Sequence, residues 1–448
     1  VTDLLETTRA SAPTRLRRTV TAVLEAPSSR WTTPLLLWLA SRVVSTLLLG
    51  TVYLLATANG WHFTSYRRDP SFATFSGSWD ASFYRTIAEH GYPHDLPTDG
   101  SGHVVPNPWA FLPVFPGVVR AVMSVSGASF WVSGVLVATV CGAGACVVLF
   151  RLVLAVADAR RARWATALFA FGATGYLLQV AYAESMFLLL LFGALLALVR
   201  RCYWLVAVLG VVAAFTRPGV LALAVALAVH LVVRWVADRR GSAAQGAARA
   251  VAGPVVGPPA VGAPLVGAPA VDAPAVGGRD PFPWRERVAV VVAGLVVAAA
   301  GLAWPVVASA VTGRPGAYLD TELSWWVGFV GRVDFTPLTP WFLMAGRWLG
   351  PAGLVLVVVV LAGTAWFLGR RDVRALGPEV LGFVIAYVAY LVAVFLPQQS
   401  LPRLLMPAAP LLGSNVFLAT RRRAVGWFVT GVCLQAVAVV LLWFLGFP

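Results

Sequence analysis

An all-α polytopic membrane protein is the fold class this sequence predicts, and three observations predict it. Hydrophobic residues fill 59% of the 448 positions and charged ones only 12%, with a mean hydropathy of +0.79. Soluble domains hold about a quarter charged residues, so the excess apolar surface needs lipid as its solvent. Apolar runs recur along nearly the whole chain. Positive charge stands between those runs in short clusters, the arrangement that sets orientation across a bilayer.

The elements follow in order. A tail over residues 1–33 carries Arg9, Arg15, Arg17, Arg18 and Arg30 and is expected in the cytoplasm. Eleven spans come next, at 34–57, 130–157, 164–180, 185–199, 203–215, 218–236, 288–311, 349–369, 378–396, 403–419 and 425–447. Ala56-Thr57-Ala58 has the look of a signal-peptidase site, but the run before it is long for a signal segment and many spans follow, so it reads as an uncleaved first helix. Clusters at Arg160, Arg161 and Arg163, at Arg200 and Arg201, at Arg234, Arg239 and Arg240, at Arg370, Arg371 and Arg374, and at Arg421 to Arg423 all fall on the cytoplasmic side with this count. The run 203–215 is shorter than a ~30 Å hydrocarbon core at about 1.5 Å per residue. It is expected to form a tight hairpin with the next helix, with Thr216-Arg217-Pro218 at the bend.

Two long loops, 59–129 and 312–348, land outside. Between residues 238 and 287 stands a tandem repeat, VGPPA-VGAPL-VGAPA-VDAPA. Its proline spacing forbids a helix or a packed sheet, so it reads as a disordered cytoplasmic linker between an N-terminal half, 34–237, and a C-terminal half, 288–448.

Composition also excludes chemistries. The chain has no lysine, so all 34 positive side chains are arginine, and the net charge is +15. Schiff-base, pyridoxal and Walker A lysine chemistry are therefore absent. Arginine clusters between apolar runs read as membrane topology and not as a nucleic-acid surface. Cys141, Cys146, Cys202 and Cys433 sit in or beside apolar runs without metal-ligand spacing, and no disulfide is expected.

The first outer loop gathers His62, His90, His94 and His103 with Asp69, Asp80, Glu89, Asp95 and Asp99, which marks the working surface of a chain so poor in charge. Residues 78–93 carry helix punctuation: Ser78 as N-cap, Gly91 and Pro93 as the close. Trp79, Phe83 and Ile87 share an apolar face, and Asp80 and Tyr84 share the neighbouring one. A short amphipathic helix at the outer surface is expected. Asp80 in its first turn, kept ionised by the helix dipole, has the chemistry of a general base; capping together with Ser78 is its structural alternative. The spacing of His90, His94 and His103 is compatible with a divalent metal but does not favour one, because Gly91 and Pro93 break the pair.

This loop resembles that of the PIG-V type mannosyltransferases, the GPI mannosyltransferase II family and its bacterial relatives, within the GT-C superfamily. Their signature W-D-x-x-x-Y-x-x-I-A-x-x-G-Y stands here as Trp79-Asp80, Tyr84, Ile87-Ala88 and Gly91-Tyr92. Further likenesses follow in order: Phe111 to Pro116 with Arg120, Tyr182-Ala183-Glu184-Ser185, Thr216-Arg217-Pro218, and Pro402-Arg403-Leu404-Leu405-Met406-Pro407. The resemblance implies a GT-C-like helical bundle whose long extracytoplasmic first loop carries short amphipathic helices. It implies a polyprenyl-phosphate-linked mannose donor, a lipid-linked or cell-envelope glycan acceptor, no cofactor, and Asp80 as the base of an inverting transfer. Tyr84, Tyr92, Arg120, Glu184, Arg217 and Arg403 are the substrate-binding residues it implies.

Position supports two of these. Arg217 lies at an outer-side bend and Arg403 opens the tenth span on that side, where guanidinium groups suit a donor phosphate; snorkelling or bonding to helix-end carbonyls is the alternative. Glu184 can orient Arg217, hold an acceptor hydroxyl or form a plain salt bridge. Tyr92 and Trp109 can stack on sugar or be buried structurally. The second loop, with Asp320, Glu322, Trp325 and Trp326, can help cover the site, and its residues carry no assigned role. The expected location is the plasma membrane, with the N-terminus cytoplasmic and the active site extracytoplasmic. The rival reading is a transporter or flippase of a lipid-linked saccharide, against which the absence of a clear inverted repeat counts.

Overall fold

The computed structural model describes residues 30–61, 71–251 and 281–446, with side chains described outside 241–251. Most of the tail, the pentapeptide repeat, His62 and Asp69 lie outside those residues. The described chain is helical, with no strand among the described residues and a single isolated bridge between Thr98 and Val104.

The principal helices are α1 (Thr32–Ala58), α2 (Ala81–His90), α3 (Val114–Ser126), α4 (Phe130–Val156), α5 (Ala159–Phe171), α6 (Glu184–Val199), α7 (Tyr203–Ala214), α8 (Leu221–Val251), α9 (Trp284–Thr312), α10 (Ala317–Ser324), α11 (Pro340–Gly369), α12 (Pro378–Val394), α13 (Leu401–Leu404) and α14 (Arg421–Ala438). Six of them are long and apolar enough to cross a membrane: α1, α4, α8, α9, α11, and α14 with the π-helical turns Val439–Leu445 that continue it. The chain is thus a helical, membrane-embedded protein. Burial separates the bundle's interior from its rim. Half of the apolar window of α4 is buried, but only 17% of that of α11, which leaves a nearly bare apolar helix facing outward.

The other expected spans differ in form. Helix α6 has 16 residues and α7 has 12, or ~24 Å and ~18 Å of rise, so neither matches a ~30 Å core. The expected span 164–180 is α5 followed by the 3₁₀ turn Gly175–Gln179, and 403–419 is α13 and the 3₁₀ segment Met406–Gly413 in place of one α-helix. Pro402, Pro407 and Pro410 account for the latter, since proline removes an amide donor and clashes with the preceding turn. Helix α11 is two helices joined at Gly350, whose φ of 56° breaks the run just before Pro351. Helix α8 continues through Val251, past the expected start of the linker at 238.

Irregular backbone inside a bundle must find partners, because lipid offers none. Arg42 on α1 supplies several. Its Nη2 donates to the carbonyls of Ala170 (3.2 Å) and Gly175 (2.9 Å), its Nη1 to Gln179 (3.1 Å), and its guanidinium lies 4.1 Å from the Trp38 ring. Gln435 on α14 donates to the Gly172 carbonyl (2.9 Å), and Ser185 to that of Leu178 (3.1 Å). Close approach does the rest. A Cβ on Gly142 would lie 2.5 Å from the Trp38 ring and 2.8 Å from the Leu178 carbonyl, so only glycine lets α4, α1 and this turn meet. The break between α5 and α6 is therefore a built tip, held from three sides.

Candidate active site

Ser78 does not cap α2. It donates to the Phe75 carbonyl (2.9 Å), closing a short turn over Phe72–Phe75, and the N-cap of α2 is Asp80, whose side chain makes no capping bond. The expected helix start is displaced because Trp79 adopts a left-handed φ of 59°, an outlier for a bulky residue. The indole of Trp79 donates to the Trp443 carbonyl (3.0 Å), and Trp443 is fully buried and donates to the Phe75 carbonyl (3.1 Å). Such conformations persist where the surroundings over-determine them. The turn frees the Asp80 carboxylate from capping and aims its amide at the Tyr182 hydroxyl (3.2 Å).

That carboxylate meets Arg403, with Nη1 2.6 Å from Oδ2. The Arg403 Nε lies 3.3 Å from Glu184 Oε1, and the same oxygen pairs with Arg217 Nη1. Two carboxylates and two guanidiniums therefore alternate in one cluster, brought from the segment between α1 and α4, the N-terminus of α6, the α7–α8 bend and α13. Each position has a local cause. Glu184 opens α6, where the helix dipole favours a carboxylate. Arg217 follows the end of α7, with Thr216 bonded back to the Val212 carbonyl (2.7 Å) and the Phe215 carbonyl accepting from the Val114 amide (3.0 Å). Arg403 sits on a helix of one turn, its guanidinium 5.3 Å from the Tyr182 ring.

The cluster is enclosed. Glu184 is 3% exposed, and the Arg403 and Arg217 side chains 12% and 15%. Among the described residues, the carboxylate oxygens of Glu184 and Arg403 Nε have no well-aligned hydrogen bond despite their ion pairs, and the buried Tyr176 hydroxyl has no hydrogen-bond partner. Glu184, Arg217 and Arg403 line a small cavity with Phe187, Leu188, Tyr387, Leu404, Met406 and Pro407. The lining mixes three charged side chains with apolar ones.

Tyr84 belongs to this neighbourhood. It is buried, T-shaped against Phe111 and Phe115 at 5.1 Å each, and within electrostatic reach of all four charged groups; burial holds its phenol well above the ordinary range, so it is neutral. Tyr92 is placed otherwise: its hydroxyl donates to the Phe111 carbonyl (2.7 Å) and its ring packs on Trp109 and Trp304, a structural aromatic cluster. Trp109 is fully buried there, which is the structural role and not sugar stacking. Arg120 is exposed on α3 and is not brought into the charged cluster. Among the described residues no group of three His, Cys, Asp or Glu is assembled that could hold a metal.

The segment between α9 and α11 packs on the segment between α1 and α4. The Arg332 guanidinium pairs with Asp99 (2.7 Å), the Asn107 amide donates to Thr321 (3.0 Å) where both are buried, and Trp325 packs edge-on to Phe83 at 5.4 Å. Sequence reasoning missed Tyr182 and Tyr387 as parts of the site. Tyr182 lies within a quoted motif, but nothing in a motif says that a hydroxyl two residues before Glu184 will meet the Asp80 amide.

Gly219 fixes how the Arg217 bend sits. Its φ is 104°, and a Cβ there would lie 2.7 Å from the Tyr387 ring. Gly219→Ala is expected to destabilise the protein by about 1–3 kcal/mol from overpacking and backbone strain. Thermal unfolding in detergent reads this; an unchanged midpoint would show that the bend is not held by that contact. Compared with protein-family models, curated proteins and solved structures, the chain has no match.

Proposed function

We propose that this protein is a membrane glycosyltransferase of GT-C type that moves mannose from a polyprenyl-phosphate-mannose donor to a lipid-linked or cell-envelope glycan at the extracytoplasmic face of the plasma membrane. The observation that carries the reading is the 2.6 Å pairing of Asp80 with Arg403, closed by Glu184 and Arg217 beside an apolar cavity. The motif resemblance in the first outer loop supports the choice of mannose.

In this mechanism the donor phosphodiester takes the two guanidiniums, and its isoprenoid tail lies along Phe187, Leu188 and Met406. A phosphate that takes Arg403 competes with Asp80 for it and leaves the carboxylate to the acceptor. The acceptor oxygen attacks the anomeric carbon, the bond from that carbon to the phosphate oxygen breaks, and the electron pair stays on the phosphate. Arg403 and Arg217 stabilise the developing charge, and Asp80 takes the acceptor's proton, with inversion. Buried ion pairs are weak devices for stability but good ones for holding a pre-formed site. No cofactor is assigned to these steps.

Topology is tested with the chain's own thiol. Cys202 is exposed beside Arg200 and Arg201, at the end of α6 expected in the cytoplasm. A membrane-impermeant maleimide is expected to label it in inside-out vesicles and not in right-side-out ones; labelling from the outside would reverse the orientation and put Asp80 on the inner face.

One observation favours a transporter of a lipid-linked saccharide as the second reading. Broken helices with charged tips, here between α5 and α6 and over 401–414, are also the build of transporter binding sites. Translocation of the lipid-saccharide without any new glycosidic bond would decide for it.

A further inference from the structure

The cavity beside the charged cluster has a polar wall that the transfer mechanism leaves unused. Tyr387 lines it together with Glu184, Arg217 and Arg403. Phe383, Tyr387 and Tyr390 stand at i, i+4 and i+7 on one face of α12, with the Tyr387 ring stacked on Phe383 at 5.6 Å and 6.1 Å from Tyr390. The bend after Arg217 sets the other side. A Cβ on Gly219 would lie 2.7 Å from Tyr387 Cε2 and 3.3 Å from Tyr390 Cε1, so the hydroxyl-bearing edges of both rings abut that bend. The Tyr387 ring is thus held between α12 and the α7–α8 bend.

Tyr387 is only 3% exposed, yet among the described residues none hydrogen-bonds its hydroxyl. Nor is that oxygen among the side-chain atoms closed off without a partner, a group that includes the Tyr176 hydroxyl. The Tyr387 hydroxyl therefore opens on the cavity that the residue lines. Resting on the glycosyl-transfer reading, we propose that Tyr387 is a substrate-binding residue: its hydroxyl donates to a non-bridging oxygen of the donor phosphate, as a third donor beside Arg217 and Arg403.

Chemistry separates this donor from the other two. Arg403 is shared between Asp80 and Glu184, and Arg217 is paired with Glu184, so a phosphate reaches either guanidinium only in competition with a carboxylate. The phenol has no protein acceptor to give up. A hydroxyl enclosed without a partner is unfavourable, and a hydrogen bond to an ionised acceptor is stronger than one to a neutral group. A phosphate oxygen supplies that acceptor, and the phenol adds a donor without changing the balance of two carboxylates and two guanidiniums. Such an oxygen is present in the mannosyl donor and in the released lipid phosphate alike. The bond therefore strengthens binding of both and is not reserved for the transition state.

The experiment uses the full chain in nanodiscs and two probes with the same tail, polyprenyl phosphate and the uncharged polyprenol. Tyr387→Phe removes the hydroxyl and keeps the ring. It is expected to weaken binding of polyprenyl phosphate about 10- to 100-fold, the loss of one hydrogen bond to a charged group, and to leave polyprenol binding unchanged. KM for polyprenyl-phosphate-mannose is expected to rise by a similar factor, with kcat within about threefold of wild type. The unfolding midpoint is expected to stay at the wild-type value, since no hydrogen bond within the protein is lost. Unchanged affinity for polyprenyl phosphate would overturn the proposal. So would equal weakening of both probes, the sign of an effect on the tail, or a fall in kcat with KM unchanged. If the wild type binds polyprenyl phosphate through this hydroxyl but forms no glycosidic product, the glycosyl-transfer reading fails and the assignment of Tyr387 stands. If transfer proceeds and Tyr387→Phe binds and turns over like the wild type, the assignment fails and the reading stands.

Discussion

Asp80→Asn is expected to lower mannosyl transfer by about 10²–10⁴-fold, the range a positioned general base contributes. The amide keeps the size of the carboxylate but cannot accept the acceptor's proton. It is expected to destabilise the fold, but by less than removal of Arg403, because the amide oxygen of the variant can still accept from Arg403 and position 80 is partly exposed. Arg403 keeps Glu184 as a partner in the variant. Donor binding is therefore expected to persist or tighten, since phosphate no longer competes with a carboxylate for Arg403. Near-normal turnover by a correctly inserted Asp80→Asn protein would remove Asp80 as the base.

Arg403→Met is expected to do two things at once. It takes the cation away from both Asp80 and Glu184, and breaking a buried pair by removing one partner is destabilising by about 3–5 kcal/mol. It also removes a guanidinium from the leaving phosphate, where loss of such a group typically slows turnover by about 10²–10³-fold. Arg403→Lys separates the effects. A lysine keeps the charge but not the fork that reaches Asp80 and Glu184 together, so stability is expected to recover more than transfer. Thermal unfolding in detergent and donor turnover, measured on both variants, check this. Equal recovery of both would mean that Arg403 acts only as a structural counter-ion.

Much of the fold was legible because lipid makes simple demands of length and apolarity. Those rules found the six long helices. They could not tell a crossing helix from a broken one, because Gly172, Gly175 and Pro407 interrupt runs that are apolar throughout. The break between α5 and α6 is held by long-range partners, Arg42 and Gln435, and hydropathy carries no record of pairings across 128 and 263 residues.

The site divides in the same way. Asp80 was picked out by its place in a short helix and by motif likeness, and Glu184, Arg217 and Arg403 by motif likeness and their positions at the ends of apolar runs; the fold brings the four together. Ser78 misled the reading of the helix start, since a capping residue at the right spacing says nothing of the left-handed Trp79 that follows it. Tyr92 and Arg120 followed from motif likeness alone, and the fold gives them a backbone hydrogen bond and an exposed face.

The most direct test of the central claim uses sealed vesicles of known orientation that contain the protein. Polyprenyl-phosphate-mannose labelled in the sugar is supplied, and both product and lipid sidedness are followed. The account predicts a new glycosidic product formed on the extracytoplasmic side, and its loss with Asp80→Asn. Labelled donor that crosses the bilayer unchanged, with no product on either side, would contradict it.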